Sequence, residues 1–177
     1  MNTAKKTALG GLVTALSSVL MIISNIIPFG LYTFPTLAGI LTYILSTACG
    51  KSYGWYSFVA VSIISFILCT DKETALCYIL FLGYYPLVKE ALEKIHFKPL
   101  SYFLKLSVFN ASAVSVYFIM LYVFSLSEEQ FKIFGINLPV VFLVMLNIIF
   151  LLYDYVLTVF NKKYRFYIIQ IITKMFK

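Results

Sequence analysis

Residues Leu138 to Phe160 read LPVVFLVMLNIIFLLYDYVLTVF, and this run decides the class of the protein. Asp154 is its only charged residue, and Asn147 interrupts the apolar side chains near its middle. The hydrocarbon core of a bilayer is about 30 Å thick, so a helix rising about 1.5 Å per residue needs about 20 mostly apolar residues to cross it. The run is long enough. Lipid offers no partner to a bare backbone N–H or C=O, so a spanning segment of this kind must be helical. The expectation is a transmembrane helix carrying one acid inside.

The same reading repeats outward along the chain. Further spans are expected over Ala8 to Ile27, Leu31 to Cys49, Tyr53 to Cys69, Thr74 to Val88 and Leu106 to Leu126. The fourth is the weakest, because it contains Gly83 and Pro86 and soon meets Lys89 and Glu90. It is expected to continue amphipathically toward Lys94, with its charged end snorkelling to the interface. Composition agrees: 62% of the 177 residues are hydrophobic and only 12% charged, against roughly 25% charged in a soluble domain. No alternating pattern suggests a barrel. The chain is expected to be a single membrane domain over residues 1–177, an all-α integral membrane protein built as a six-transmembrane-helix bundle.

Charge sets the orientation, since loops rich in Lys and Arg stay in the cytoplasm. Of the 14 Lys and Arg, only Lys72 and Lys132 fall on one side of the six spans; the rest, from Lys5 and Lys6 through Lys51, Lys89, Lys94, Lys98 and Lys105 to the C-terminal group, fall on the other. This bias requires an even number of spans and places both termini in the cytoplasm. The net charge of +7 resides just beyond helix ends rather than in a stripe or groove, which argues for an anionic inner leaflet and against nucleic acid. After Phe160, the stretch NKKYRFYIIQII is too short and too basic at its flanks to span, so a C-terminal interfacial amphipathic segment is expected. Lys5 and Lys6 before an apolar run imitate a signal peptide, but the run exceeds an h-region and reads as a retained first helix.

Chemistry is sparse. The one histidine, His96, sits in a charged loop, and no metal-ligand cluster, phosphate loop, nucleophile elbow or paired acidic motif is present. The reading is therefore of a protein that is not an enzyme and uses no cofactor or metal. Cys49, Cys69 and Cys77 fit no disulfide framework and are read as small core residues. An ionisable group inside a membrane is a functional hypothesis by default, and Asp154 is taken to pair with Asn110 at similar depth in the fifth span, as a structural hydrogen bond rather than a relay. Asn25, Tyr32, Tyr78 and Asn147 are the candidate lining of an outer substrate pocket. The loop Pro28 to Pro35 is either a tight interfacial turn or a lid over that pocket. Ala4, Ala8, Gly11 and Ala15 form a stripe of small residues on the first helix, spaced for close helix approach either within the bundle or with a separate subunit; Gly11 and Ala15 are its partner-binding candidates.

Size, six spans, inside termini and the opening Lys5 to Leu16, KKTALGGLVTAL, together resemble the substrate-binding S component of the energy-coupling factor (ECF) vitamin transporters of bacteria. The resemblance implies that the small stripe stands for the family's Ala-xxx-Ala motif, with Gly11 in the first position and Ala15 in the second, and packs on the transmembrane T component, itself bound to two ATPase subunits. It implies capture of a small organic, vitamin-like solute near the outer face, under the loop after the first helix, and residence as a multi-pass protein of the bacterial inner membrane. The N-terminal histidine motif of metal-specific relatives is missing from Met1-Asn2-Thr3. Alternative readings are a stand-alone small transporter or channel, and a structural or regulatory membrane protein without transport activity.

Overall fold

The computed structural model describes residues 2–27, 30–124, 132–133 and 136–175. Helix α1 (Thr3–Ser24) starts where the Asn2 side chain accepts the Thr3 N–H at 2.7 Å. Helix α2 (Thr33–Cys49) and α3 (Lys51–Leu68) are separated by Gly50 alone. That reversal requires φ of +111° at Gly50, in the left-handed region that glycine adopts without a Cβ penalty. Helix α4 (Lys72–Cys77) is capped by Asp71, whose carboxylate accepts the Glu73 N–H and the Thr74 hydroxyl. It passes into a π-helical turn, Tyr78–Leu82, and then into α5 (Tyr85–Glu93). Helix α6 (Lys98–Tyr122) follows, then a two-residue antiparallel pairing of β1 (Lys132–Ile133) with β2 (Ile136–Asn137), and finally α7 (Leu138–Met175).

Among the described residues, five segments are long and apolar enough to cross a membrane: Thr3–Ser24, Lys51–Leu68, Lys72–Glu93, Lys98–Tyr122 and Leu143–Lys163. Thr33–Cys49 is a shorter apolar helix of 17 residues. Their outer surfaces agree with immersion in lipid. Leu12 is 64% exposed, Ile67 69% and Ile149 60%, an apolar belt that water would penalise and acyl chains accommodate.

One expectation changes here. The C-terminal stretch is not a separate segment, because α7 runs unbroken for 38 residues; no Gly or Pro stands between Val140 and Met175 to stop it. The fourth span continues to Glu93, as expected, and is interrupted inside, around Gly83 and Pro86. Pro86 has no N–H to give the Leu82 carbonyl four residues back, and that carbonyl points at Gly39 of α2, where an added Cβ would overlap it. A side chain on α2 would push the two helices apart; glycine lets the backbone of one cover the break in the other.

Among the described residues the core falls into three clusters, a small one of Leu9, Leu45 and Cys49 and two larger ones. Met21, Ala38, Val61, Cys69, Ala75 and Tyr78 pack among α1, α2, α3 and α4. Phe81, Tyr85, Phe109, Phe150 and Leu157 pack among the π turn, α5, α6 and α7. In the last of these the rings interlock: Phe109 stacks on Phe150 at 4.7 Å and Phe81 on Tyr85 at 4.7 Å, with Phe81 edge-on to Phe109 at 5.1 Å. Offset and edge-on ring pairs add about 0.5–1.5 kcal/mol each beyond area burial.

Candidate functional site

Below the aromatic cluster, at the end of the bundle that carries Lys5, Lys51 and Lys98, three helices exchange charges. Helix α5 presents Tyr85, Lys89 and Glu93 at a spacing of four, which puts them on one face. Helix α6 buries Ser101, Lys105, Phe109 and Ser112 with the same period. Helix α7 brings Asp154 and Thr158, again four apart. The faces meet. Lys89 is 4% exposed, Lys105 4% and Asp154 6%. Lys89 Nζ donates to one Asp154 carboxylate oxygen, to the Asp154 backbone carbonyl at 3.0 Å and to Thr158 Oγ1 at 2.8 Å. Tyr85 OH donates to that same carboxylate oxygen at 2.6 Å. Lys105 Nζ donates to the other oxygen at 3.1 Å. Glu93 completes the set, 2.7 Å from Lys89 and 3.0 Å from Lys105.

Two ammonium groups and two carboxylates balance. Isolated charges in low dielectric are prohibitively costly, so ions persist there only when paired and hydrogen-bonded. Both Asp154 oxygens accept from donors, two on one and one on the other. The arrangement fastens α5, α6 and α7 together.

The expected Asn110–Asp154 bond is not formed. Asn110 instead pairs reciprocally with Asn147, at 3.1 Å and 2.9 Å. The reason is register. Helix α6 begins at Lys98 rather than Leu106, so Asn110 lies a further two turns into the bundle; Asp154 then faces Lys105, and Asn147, two turns along the same face of α7, meets Asn110. Lys89 does not snorkel, because its four-carbon stem turns inward to Asp154. Lys105 belongs to a helix rather than a loop, and the charged loop shortens to the link between Glu93 and Lys98. Sequence reasoning missed both lysines. The signal was present in the i, i+4 spacing of Tyr85, Lys89 and Glu93 beside an acid in the last span.

Each of the four pocket candidates has a defined place in the bundle. Asn25 is held by bonds to the Met21 carbonyl at 2.9 Å and from the Asp71 N–H at 2.7 Å. Tyr32 donates to Glu73 at 2.5 Å, tying the segment before α2 to α4. Tyr78 is fully buried at the start of the π turn, and its hydroxyl has no partner. Asn147 is engaged with Asn110. Of the loop Pro28 to Pro35, Pro28 and Phe29 lie outside the described residues, while Pro35 is buried in the first turn of α2. Cys49, Cys69 and Cys77 are free thiols, and the Cys69 thiol donates to the Met21 carbonyl at 3.4 Å. Among the described residues no group of three or more His, Cys, Asp or Glu is placed to hold a metal ion.

The small stripe faces out. Ala4, Ala8, Gly11 and Ala15 are all exposed, and a Cβ added at Gly11 would meet nothing. Beside it, a groove of about 420 Å³ between α1 and α3 is lined by Gly10, Gly11, Thr14, Tyr53, Tyr56 and Ser57, among others. Thr14 donates to Ser57 at 2.9 Å across its floor. A second cavity of about 280 Å³ lies against the ion cluster, lined by Glu90, Glu93, Lys94 and Asn161.

No protein-family model, characterised protein or solved structure matches this chain.

Proposed function

We propose that this chain is the substrate-capture subunit of an ECF-type importer, a six-span protein of the bacterial inner membrane with both termini in the cytoplasm. It takes a small organic, vitamin-like solute near the outer face and hands it inward with a T component and its ATPases. The observation that carries the reading is the free face of α1. Its other sides are committed to α2 and α3 through Leu9, Ser17 and Met21, yet Ala4, Ala8, Gly11 and Ala15 present a strip of small residues with open space at Gly11. In lipid, helices associate through close packing of small residues rather than through the hydrophobic effect, so such a strip suits a second membrane protein.

A second reading, a partner-binding membrane subunit with no cargo of its own, draws on the bonding of the pocket candidates Asn25, Tyr32 and Asn147. All three are occupied in bonds to other helices or caps. The stand-alone channel reading loses its main residue, since Asp154 is enclosed by Lys89, Lys105 and Tyr85.

Purification of the tagged protein in mild detergent, with mass spectrometry of co-purifying proteins and small molecules, separates these. Recovery of a membrane subunit, two ATPases and a bound solute is the expected result. A partner without any solute would select the second reading, and an empty monomer in several detergents would overturn both.

A further inference from the structure

Helix α5 belongs to two bodies at once. On one side Glu90 accepts the Tyr43 hydroxyl of α2 at 2.9 Å, and Leu87 sits so close to Gly54 of α3 that an added Cβ would lie 3.0 Å from it. On the other side Lys89 and Glu93 hold Lys105 of α6 and Asp154 of α7. The segment before it also touches both sides: the π turn packs on α6 through Phe81 and Phe109 and Tyr84 OH bonds Ser112 of α6 at 3.0 Å, while the Leu82 carbonyl lies against Gly39 of α2 and the Tyr84 ring is edge-on to Phe58 of α3. Between the π turn and α5 lies the break at Gly83 and Tyr84. There the Gly83 N–H reaches back five residues to Tyr78, and Pro86 leaves the Leu82 carbonyl without its helical donor. A hinge and a fastening thus occupy opposite ends of one short helix.

We infer that the basic end of the bundle opens between α5 and the α6–α7 pair, with Gly83 and Tyr84 as the flexing point and the Lys89–Glu93–Lys105–Asp154 cluster as the latch. Discontinuous helices in membrane transporters lie at the sites about which one body rocks against another, and a buried cluster of balanced ions can be joined or hydrated apart. The site where opening begins is visible. The 280 Å³ cavity reaches from Glu93 to Asn161 of α7, whose Oδ1 is buried there without a donor. Water entering this cavity meets the one latch residue that is partly exposed, Glu93 at 31%. Solvation of Glu93 weakens its hold on both lysines first. Asp154, held from three sides, releases last. The inference stands without the importer assignment, since it concerns how the basic end opens and not what passes through it.

The lever sets the size of the motion. Nine residues of α5 span ~13 Å at 1.5 Å per residue, so a swing of ~20°, the scale of a sharp helix kink, displaces the far end by ~5 Å. Spin labels at exposed Ala91 of α5 and Lys162 of α7, in a variant lacking the three native cysteines, report that displacement in the full chain reconstituted in lipid. A second pair, Val19 of α1 and Val59 of α3, reports the body that should not move. The parent protein is expected to give one narrow 91–162 distance. Glu93→Gln, at the rim and compatible with folding, adds a population ~5 Å longer, and Asp154→Asn makes that population dominant, while the 19–59 distance stays fixed in both. Unchanged 91–162 distances in both single variants would overturn the latch, as would equal lengthening of both pairs, which would mean general loosening.

Discussion

The α1–α3 half and the α5–α7 half of this bundle solve the same problem with different means. In the first, neighbours are small: Gly10, Gly54, Ser17, Ser18, Ser57 and Ser65 let backbones approach, and the polar bonds that cross, such as Thr14 to Ser57, are between hydroxyls. In the second, the helices are separated by rings and joined by ions, from the Phe109–Phe150 stack down to Asp154. Close packing tolerates loss of a single hydroxyl. An ion cluster does not tolerate loss of a single charge, because what remains is a buried ion without its partner.

The comparison predicts a graded series, read as thermal unfolding of the purified protein in one detergent. Asp154→Asn should destabilise most, by about 3–5 kcal/mol, since Lys89 and Lys105 are left sharing Glu93 alone. A loss below about 1 kcal/mol would mean that water already reaches the cluster. Gly39→Val should come next, at about 1–3 kcal/mol or more, because its side chain must displace the Leu82 carbonyl; a neutral result would dismiss the close approach of α2 to the broken span. Asn147→Ala leaves Asn110 with only the Leu106 carbonyl and should lose about 0.6–1.7 kcal/mol, the range of interhelical hydrogen bonds in lipid. Gly11→Leu should change stability by no more than about 0.5 kcal/mol, as befits an exposed site, while abolishing co-purification of a membrane partner. Stability loss comparable to Asn147→Ala would show that the strip is packed after all.

Much of this was legible in the sequence, and for a physical reason. Apolar length is read by the bilayer itself, so the approximate places of the apolar helices follow from counting residues, and Gly83 with Pro86 marked the weak span. What a span count leaves out is rotation and depth. Lys89 and Lys105 were assigned to water because lysines beside span ends usually snorkel; only the facing of Asp154 turns them inward. Asn110 was paired with the wrong residue because the start of α6 was placed at the first apolar residue, Leu106, instead of at Lys98, where Pro99 opens the helix. The small stripe of α1 was visible as spacing, but whether it packed inside or faced out depended on the hands of three helices, which no one-dimensional pattern contains.

The most direct test of the central claim, that α1 offers its small face to another membrane protein, is site-specific photo-crosslinking in native membranes. A photo-reactive residue is placed at Ala8 or Ala15 on the strip, and at Val59 or Ile63 on the exposed face of α3. The account predicts a discrete protein adduct from both strip positions, identified by mass spectrometry as a membrane subunit of an ATP-driven transporter, and none from α3. Lipid adducts alone at all four positions would contradict it.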